Sequence, residues 1–185
     1  MIKSGSGKGY TKNLLLAATI VSLSTTMIMQ TPVKAETLAE AIANATTTSY
    51  TMTGNYTFTD DAGSLAVNPG QLRFLMVSSD TGNTYTIDGG GHNGIEIGNH
   101  ILVLTNVNVQ NFTTALSNSG SLMINGVTFS NNSVADIINE ASLTLNGNNT
   151  INTIRAVIPS ATTSIIGGTT TIAANGSVTQ NAINM

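Results

Sequence analysis

The chain has 185 residues, 41% of them hydrophobic, 4% aromatic and only 8% charged, with 18 Gly, 3 Pro and neither Cys nor Trp. That is enough chain for one domain, and so few charges exclude a charge-driven disordered tail or a long charged helix. Without cysteine there is no disulfide scaffold, no thiolate zinc site and no cysteine nucleophile.

In chain order, Lys3, Lys8 and Lys12 precede an apolar run from Leu14 to Met29, and Val33-Lys34-Ala35 then offers small residues at the positions a signal peptidase reads. Residues 1–35 are therefore expected to be a secretory signal peptide. The run is shorter than the roughly 20 apolar residues that span a bilayer and is interrupted by Ser22, Ser24, Thr25 and Thr26, so a membrane anchor is the weaker reading. Gly5-Ser6-Gly7-Lys8-Gly9 hints at a phosphate loop but lies inside this segment with no strand before it. Cleavage after Ala35 leaves Arg73 and Arg155 as the only cations against nine acids, a net charge of −7. Two cations cannot neutralise a row of phosphates, which removes DNA, RNA and anionic lipid as partners. Asn-x-Ser/Thr sequons such as those at Asn44, Asn55, Asn111, Asn131 and Asn175 are expected by chance in an Asn- and Thr-rich chain.

Residues 36–45, ETLAEAIANA, put Leu38, Ala41, Ile42 and Ala45 on one face at helical spacing, with Glu36 and Glu40 near the N-terminal turn. From Thr46 the period becomes two: Tyr50 and Met52, then Tyr56 and Phe58, alternate with Thr. Turns are expected at Asp60-Asp61-Ala62-Gly63 and Asn68-Pro69-Gly70, and further strands at Leu72–Met76 and Tyr85–Ile87. After Asp88 the chain repeats. LVLTNVNVQN (102–111) recurs as LMINGVTFSN (122–131), LTLNGNNTIN (143–152) and SIIGGTTTIA (164–173), and Asn118-Ser119-Gly120-Ser121-Leu122 maps onto Asn139-Glu140-Ala141-Ser142-Leu143. Each repeat reads as two short strands around a corner, and such a unit buries its apolar side only by stacking on copies of itself.

The pattern predicts an all-β parallel β-helix, a solenoid with coils of about 20–21 residues spaced ~4.8 Å apart. A β-sandwich would give short alternating strands without the constant period. Leu104, Ile124, Leu145 and Ile166 are expected to form one internal stack, and Asn111, Asn131 and Asn152 a ladder at a corner. Residues 36–60, the short amphipathic helix plus the first strand, are expected to cap the first coil. Residues 61–185 form the β-helix, whose last coil has no visible cap, so truncation and self-association through that coil are expected.

The order of these features, a signal peptide, the helix TLAEAIANA, the strands YTFT and YTIDGGG, then repeats such as NSGSLMINGVTFSNNS and EASLTLNGNNTI, resembles the start of the passenger region of Gram-negative autotransporters of the pertactin-like or AIDA-like kind. It also resembles polymorphic outer-membrane proteins through Phe129-Ser130-Asn131-Asn132, which matches their Phe-x-x-Asn pattern, although their Gly-Gly-Ala-hydrophobic pattern is absent. The resemblance implies a right-handed β-helix, export to the cell surface or beyond it, and a non-enzymatic role as surface adhesin or rigid passenger stalk. Its partners would be host or bacterial surface molecules or glycans.

The alternative is a carbohydrate-active β-helix enzyme, a polysaccharide lyase or hydrolase. Its catalytic candidates are Asp88, His92 and Glu96 with His100 nearby, since two carboxylates and an imidazole suit acid–base chemistry. Against it, Gly89, Gly90, Gly91 and Gly94 make the same stretch a glycine-rich corner, and an acidic polymer would need more cations than Arg73 and Arg155. Asp60, Asp61, Asp80 and Asp88 fit no calcium-loop pattern and read as turn residues, so neither a metal nor a cofactor is expected. The Thr pairs Thr51/Thr53, Thr57/Thr59 and Thr84/Thr86 do not recur at the coil period and read as ordinary solvent-facing positions.

Overall fold

The computed structural model describes residues 36–66, 70–157, 160–172 and 183–184. The expected export segment 1–35, its cleavage site, the centre of the Asn68-Pro69-Gly70 turn and most of the chain after Ile172 lie outside the described residues.

Helix α1 (Leu38–Ala43) begins at a capping box: the Thr37 hydroxyl accepts from the Glu40 N–H and the Glu40 carboxylate accepts from the Thr37 N–H. Leu38, Ala41 and Ile42 are buried as the periodicity predicts, and Leu38 and Ile42 join the main core. The helix lies on the strands that follow it, and Arg73 fixes its far end. The buried guanidinium donates to the carbonyls of Ala41, Ile42 and Ala66, and burial pulls its pKa below the usual value while Glu36 opposes that pull. Arg73, counted from sequence as one of two free cations, is a structural residue.

Beyond the helix the described chain winds as a parallel β-solenoid. Strands come in threes: β1 (Ser49–Met52), β2 (Tyr56–Thr57) and β3 (Gly63–Ser64); β4 (Phe74–Ser79), β5 (Tyr85–Asp88) and β6 (Ile95–Gly98); β7 (Ile101–Thr105), β8 (Val107–Gln110) and β9 (Thr114–Asn118). Then come β10 (Ser121–Asn125), β11 (Thr128–Ser130) and β12 (Ala135–Asn139); β13 (Ser142–Asn146), β14 (Asn149–Ile151) and β15 (Ile154–Ala156); and finally β16 (Thr162–Ile166), β17 (Thr170–Ile172) and β18 (Ile183–Asn184). Each of the first five trios gives one strand to each of three parallel sheets, while β16 and β17 extend the first two and β18 pairs with β16. Sheet A runs β1-β4-β7-β10-β13-β16-β18, sheet B β2-β5-β8-β11-β14-β17 and sheet C β3-β6-β9-β12-β15. The strands β1 and β2, within the segment 36–60, already belong to sheets A and B.

Side chains alternate in and out along each strand. The interior of sheet A is a column of Leu75, Leu102, Leu122 and Leu143 beside a second column of Val77, Leu104, Ile124 and Leu145. Here the structure corrects the expected stack. Leu145 pairs with Ile165, while Ile166 pairs with Asn146 and is 55% exposed. Successive coils in sheet A step by 20, 21 and 20 residues, since Ile101 faces Ser121, Ser121 faces Ser142 and Ser142 faces Thr162. A one-residue slip in a strand exchanges its inside and outside, so the shorter last step is what brings Ile165 rather than Ile166 onto Leu145.

The corner from sheet A to sheet B is a column of left-handed residues: Asn106 (φ 52°), Gly126 (φ 65°), Gly147 (φ 69°) and Gly167 (φ 69°). Asn and Gly are the residues that adopt this conformation at least cost, which explains the Asn/Gly alternation at that point of every repeat. The repeat at Leu143 carries one extra residue after its corner, so Thr128 pairs with Thr150, 22 residues on. Asn149 absorbs the insertion: its side chain is buried, accepts from the Val127 N–H at 2.9 Å and donates to the Asn146 carbonyl at 2.8 Å.

The expected corner ladder is cut short at its third member. Asn111 (φ 58°) and Asn131 (φ 55°) occupy matching left-handed positions, but Asn152 does not. Its amide donates to the Phe129 carbonyl, as the Asn132 amide does to Val109 one coil earlier, so its counterpart is Asn132. A different ladder lies at the corner from sheet C to sheet A. Buried Asn118 donates to Asn139 at 2.8 Å and to the Ser142 carbonyl, and Asn139 donates to the carbonyl of Thr162. A row of outward polar residues also recurs on sheet B: Thr86, Asn108, Thr128, Thr150 and Thr171 are aligned by the strand pairing.

The corrected register has a direct consequence. Ile166→Ser should change stability by no more than about 0.5 kcal/mol, whereas Ile124→Ala, in the middle of the same internal column, should cost about 2–5 kcal/mol. Urea unfolding followed by circular dichroism would measure both.

Candidate functional site

The acid–base candidates lie at the turn from β5 to β6, residues 88–94. The turn is tight because two glycines leave room that a side chain would fill. A β-carbon on Gly89 would sit 2.3 Å from the Phe112 ring, and one on Gly94 would sit 1.9 Å from the Ala115 carbonyl oxygen of the next coil. Phe112 uses the space over Gly89 to reach Phe58 of the first coil, with ring centroids 5.9 Å apart. The glycines therefore serve the packing of coil on coil.

Asp88 ends β5 on sheet B. Its carboxylate accepts from the Gln110 amide at 2.8 Å, the Asn111 amide at 2.7 Å and the Gly90 N–H at 2.9 Å. The Gln110 hydrogen bond, helped by Gly90 and Asn111 and opposed by partial desolvation, holds its pKa below the usual carboxylate value. His92 sits at the corner, where its N–H donates to the Gly89 carbonyl and its own carbonyl accepts from the Thr113 N–H. Glu96 is exposed on β6 in sheet C and accepts from the Ser64 hydroxyl at 2.5 Å. Asp88 and Glu96 thus belong to different sheets, and no hydrogen bond joins any two of Asp88, His92 and Glu96. His100 is buried at the next corner, its Nδ1 accepting from the Arg73 N–H at 3.4 Å.

What the corner does assemble is Asp61, His92 and Asn93. The Asp61 carboxylate accepts from the N–H of Asn93 at 2.8 Å and from its side-chain amide at 3.4 Å, and these bonds, with a smaller contribution from His92, hold its pKa below the usual value. The other acids weighed as calcium ligands are engaged in turns: Asp80 accepts from the Asn83 amide at 2.5 Å and Asp60 from the Thr59 hydroxyl at 3.2 Å. Among the described residues no group of three or more His, Asp or Glu stands close enough to hold a metal ion.

A second carboxylate centre was not singled out from the sequence. Asp136, at the start of sheet C in its coil, is buried and takes three hydrogen bonds into one structure-bearing knot. It accepts from the Asn132 amide at 2.7 Å, from the Asn152 N–H at 2.5 Å and from the Thr153 N–H at 3.0 Å, while Asn132 in turn accepts from the Phe112 N–H at 2.9 Å. One carboxylate and one amide therefore tie three successive coils together. The only signal in the sequence was an acid inside an apolar strand, ADIIN, where a charge must find partners to be buried. Comparison with family models, with curated proteins and with solved structures yields no match for this chain.

Asp136→Asn places an amide N–H where acceptors are needed and should cost about 2 kcal/mol. Asp61 and Asp88, with depressed folded pKa values, contribute stability that is fully present above the unfolded carboxylate pKa of about 3.9 and is lost as the pH falls through the folded values. Asp88→Asn should therefore flatten the dependence of stability on pH below about pH 4 and leave it unchanged near neutrality, as thermal melts across that range would show.

Proposed function

We propose that this chain is a non-enzymatic, exported β-helix that acts as a surface adhesin or as a rigid stalk displaying one, in the manner of the autotransporter passenger regions its repeats resemble. The observation that carries this reading is the use made of its acids. Asp61 binds Asn93, Glu96 binds Ser64, Asp88 binds Gln110 and Asn111, Glu140 binds Ser119 at 2.9 Å, and Asp136 binds Asn152 and Thr153. Each of these bonds joins one coil to a neighbouring coil. Groups that could serve acid–base chemistry are committed to stiffening the solenoid along its axis, which suits a molecule that bears load or spans distance.

The two features outside the fold that the reading needs are the export signal at residues 1–35 and display at the surface of a Gram-negative cell. Helix α1, held down by Arg73, would close the first coil against solvent and against strand addition.

The test is to express the full chain in a Gram-negative host, sequence the N-terminus of the product outside the cytoplasm, and screen that product on a glycan and host-matrix panel. The reading expects an N-terminus at Glu36 and retention of the chain on a surface ligand with no turnover, unchanged in Asp88→Ala. Cleavage of a polysaccharide that is abolished by Asp88→Ala would overturn it in favour of the carbohydrate-active enzyme.

A further inference from the structure

Charge is distributed unevenly over the three faces of the solenoid. Sheet B carries Asp88, sheet C carries Glu96 and Arg155, and acids line the corners at Asp60, Asp61, Asp80 and Glu140. The six strands of sheet A from Ser49 to Ile166, reading SYTM, FLMVSS, ILVLT, SLMIN, SLTLN and TTSII, contain no Asp, Glu, Lys, Arg or His. On the outer side of that sheet Phe74 is 43% exposed, Met76 36% and Met123 41%, with Leu72 at 67% beside them. Met76, Val103 and Met123 are aligned on successive strands by the register, so they form one straight apolar row.

We propose that this outer face of sheet A is the contact between two copies of the chain, paired about a two-fold axis through Val103. The row itself supplies the self-complementarity such an axis needs, because Met76 and Met123 lie one strand to either side of Val103. Rotation about that axis sets Met76 of each copy against Met123 of the other. The charge pattern selects a second copy over other occupants. Two molecules that each carry nine acids and a net charge of −3 repel in most orientations, and sheet A is the one strand face among the described residues that they can bring together without burying a carboxylate. The same acids remain at the rim, where salt screens them.

The area sets the strength. Five overlapping strands at ~4.8 Å spacing, each about five residues at ~3.3 Å rise, give roughly 400 Å² of projected face per copy. That belongs with weak, reversible pairs rather than obligate dimers. The proposal stands independently of surface display or adhesion.

The experiment is sedimentation equilibrium of the full chain from about 10 μM to about 1 mM, the range in which a weak pair of this size assembles, at low and at high salt. The weight-average mass should rise toward twice the monomer value with concentration and rise further with salt. Met123→Glu, at an exposed position and with an unchanged melting temperature, should remove the rise. The double variant Met76→Lys, Met123→Glu should restore it, because each lysine then meets a glutamate of the other copy. A wild-type chain that stays monomeric throughout, or one whose association survives Met123→Glu, overturns the proposal. Failure of the double variant to regain association overturns the two-fold pairing. A monomer that instead binds phosphatidylcholine vesicles through the same residues assigns the face to a lipid surface, again against the proposal.

Discussion

Everything in this molecule depends on parallel pairing between one coil and the next. A parallel ladder places each residue beside its equivalent in the neighbouring coil, so a residue type that is tolerable once must be tolerable in a column. Leucine and isoleucine satisfy that inside, as in the column from Val77 through Leu104, Ile124 and Leu145. At the corners only residues that accept a left-handed backbone can recur, and Asn106, Gly126, Gly147 and Gly167 do so. Where a polar group must go inside, it has to find its partner in the coil above or below. Asn118 with Asn139 is one such solution and Asp136 with Asn132, Asn152 and Thr153 is another.

The same constraint explains what could be read from the sequence. A column of equivalent residues appears in the sequence as a period, so the solenoid, the inward Leu-x-Leu pairs and the alignment of Asn118 with Asn139 were all legible. The register of the last repeat was not. Ser164-Ile165-Ile166-Gly167-Gly168 offers two adjacent isoleucines and two adjacent glycines, so either of two registers fits the pattern, and only pairing with Leu145 decides between them. Asn152 misled for a related reason: the offset between these coils changes from 22 residues at Thr128 and Thr150 to 20 at Asn132 and Asn152, so a constant period assigns Asn152 the wrong counterpart. The roles of Arg73 and Asp136 were hard to read because most of their partners are backbone groups 7 to 32 residues away, and such partners leave no trace in side-chain identity.

For the candidate site, the sequence located the glycine-rich corner and its acids correctly as a cluster along the chain, but nearness along the chain at a solenoid corner means separation onto different faces. Asp88 turns to sheet B and Glu96 to sheet C, and each is drawn to the neighbouring coil by its own donors. Stiffness along the axis, an uncharged outer face on sheet A and acids elsewhere follow from one composition in which charge is scarce. Under the reading offered for its function, that scarcity suits a display element whose surface contacts are polar, spread along the coils and individually weak.

The central claim is the register of coil on coil, and the natural absence of cysteine makes it directly measurable. Paired outward positions in neighbouring parallel strands lie ~4.8 Å apart, within the span a disulfide bridges. Oxidation of the double variants Met123→Cys, Thr144→Cys and Thr144→Cys, Ser164→Cys should give intramolecular disulfides in both, since these residues are aligned across β10, β13 and β16. Efficient cross-linking in the first pair but not in the second, with the variant Thr144→Cys, Ile165→Cys linking in its place, would show that the last coil is out of the register described. Failure of both pairs in a folded chain would contradict the solenoid itself.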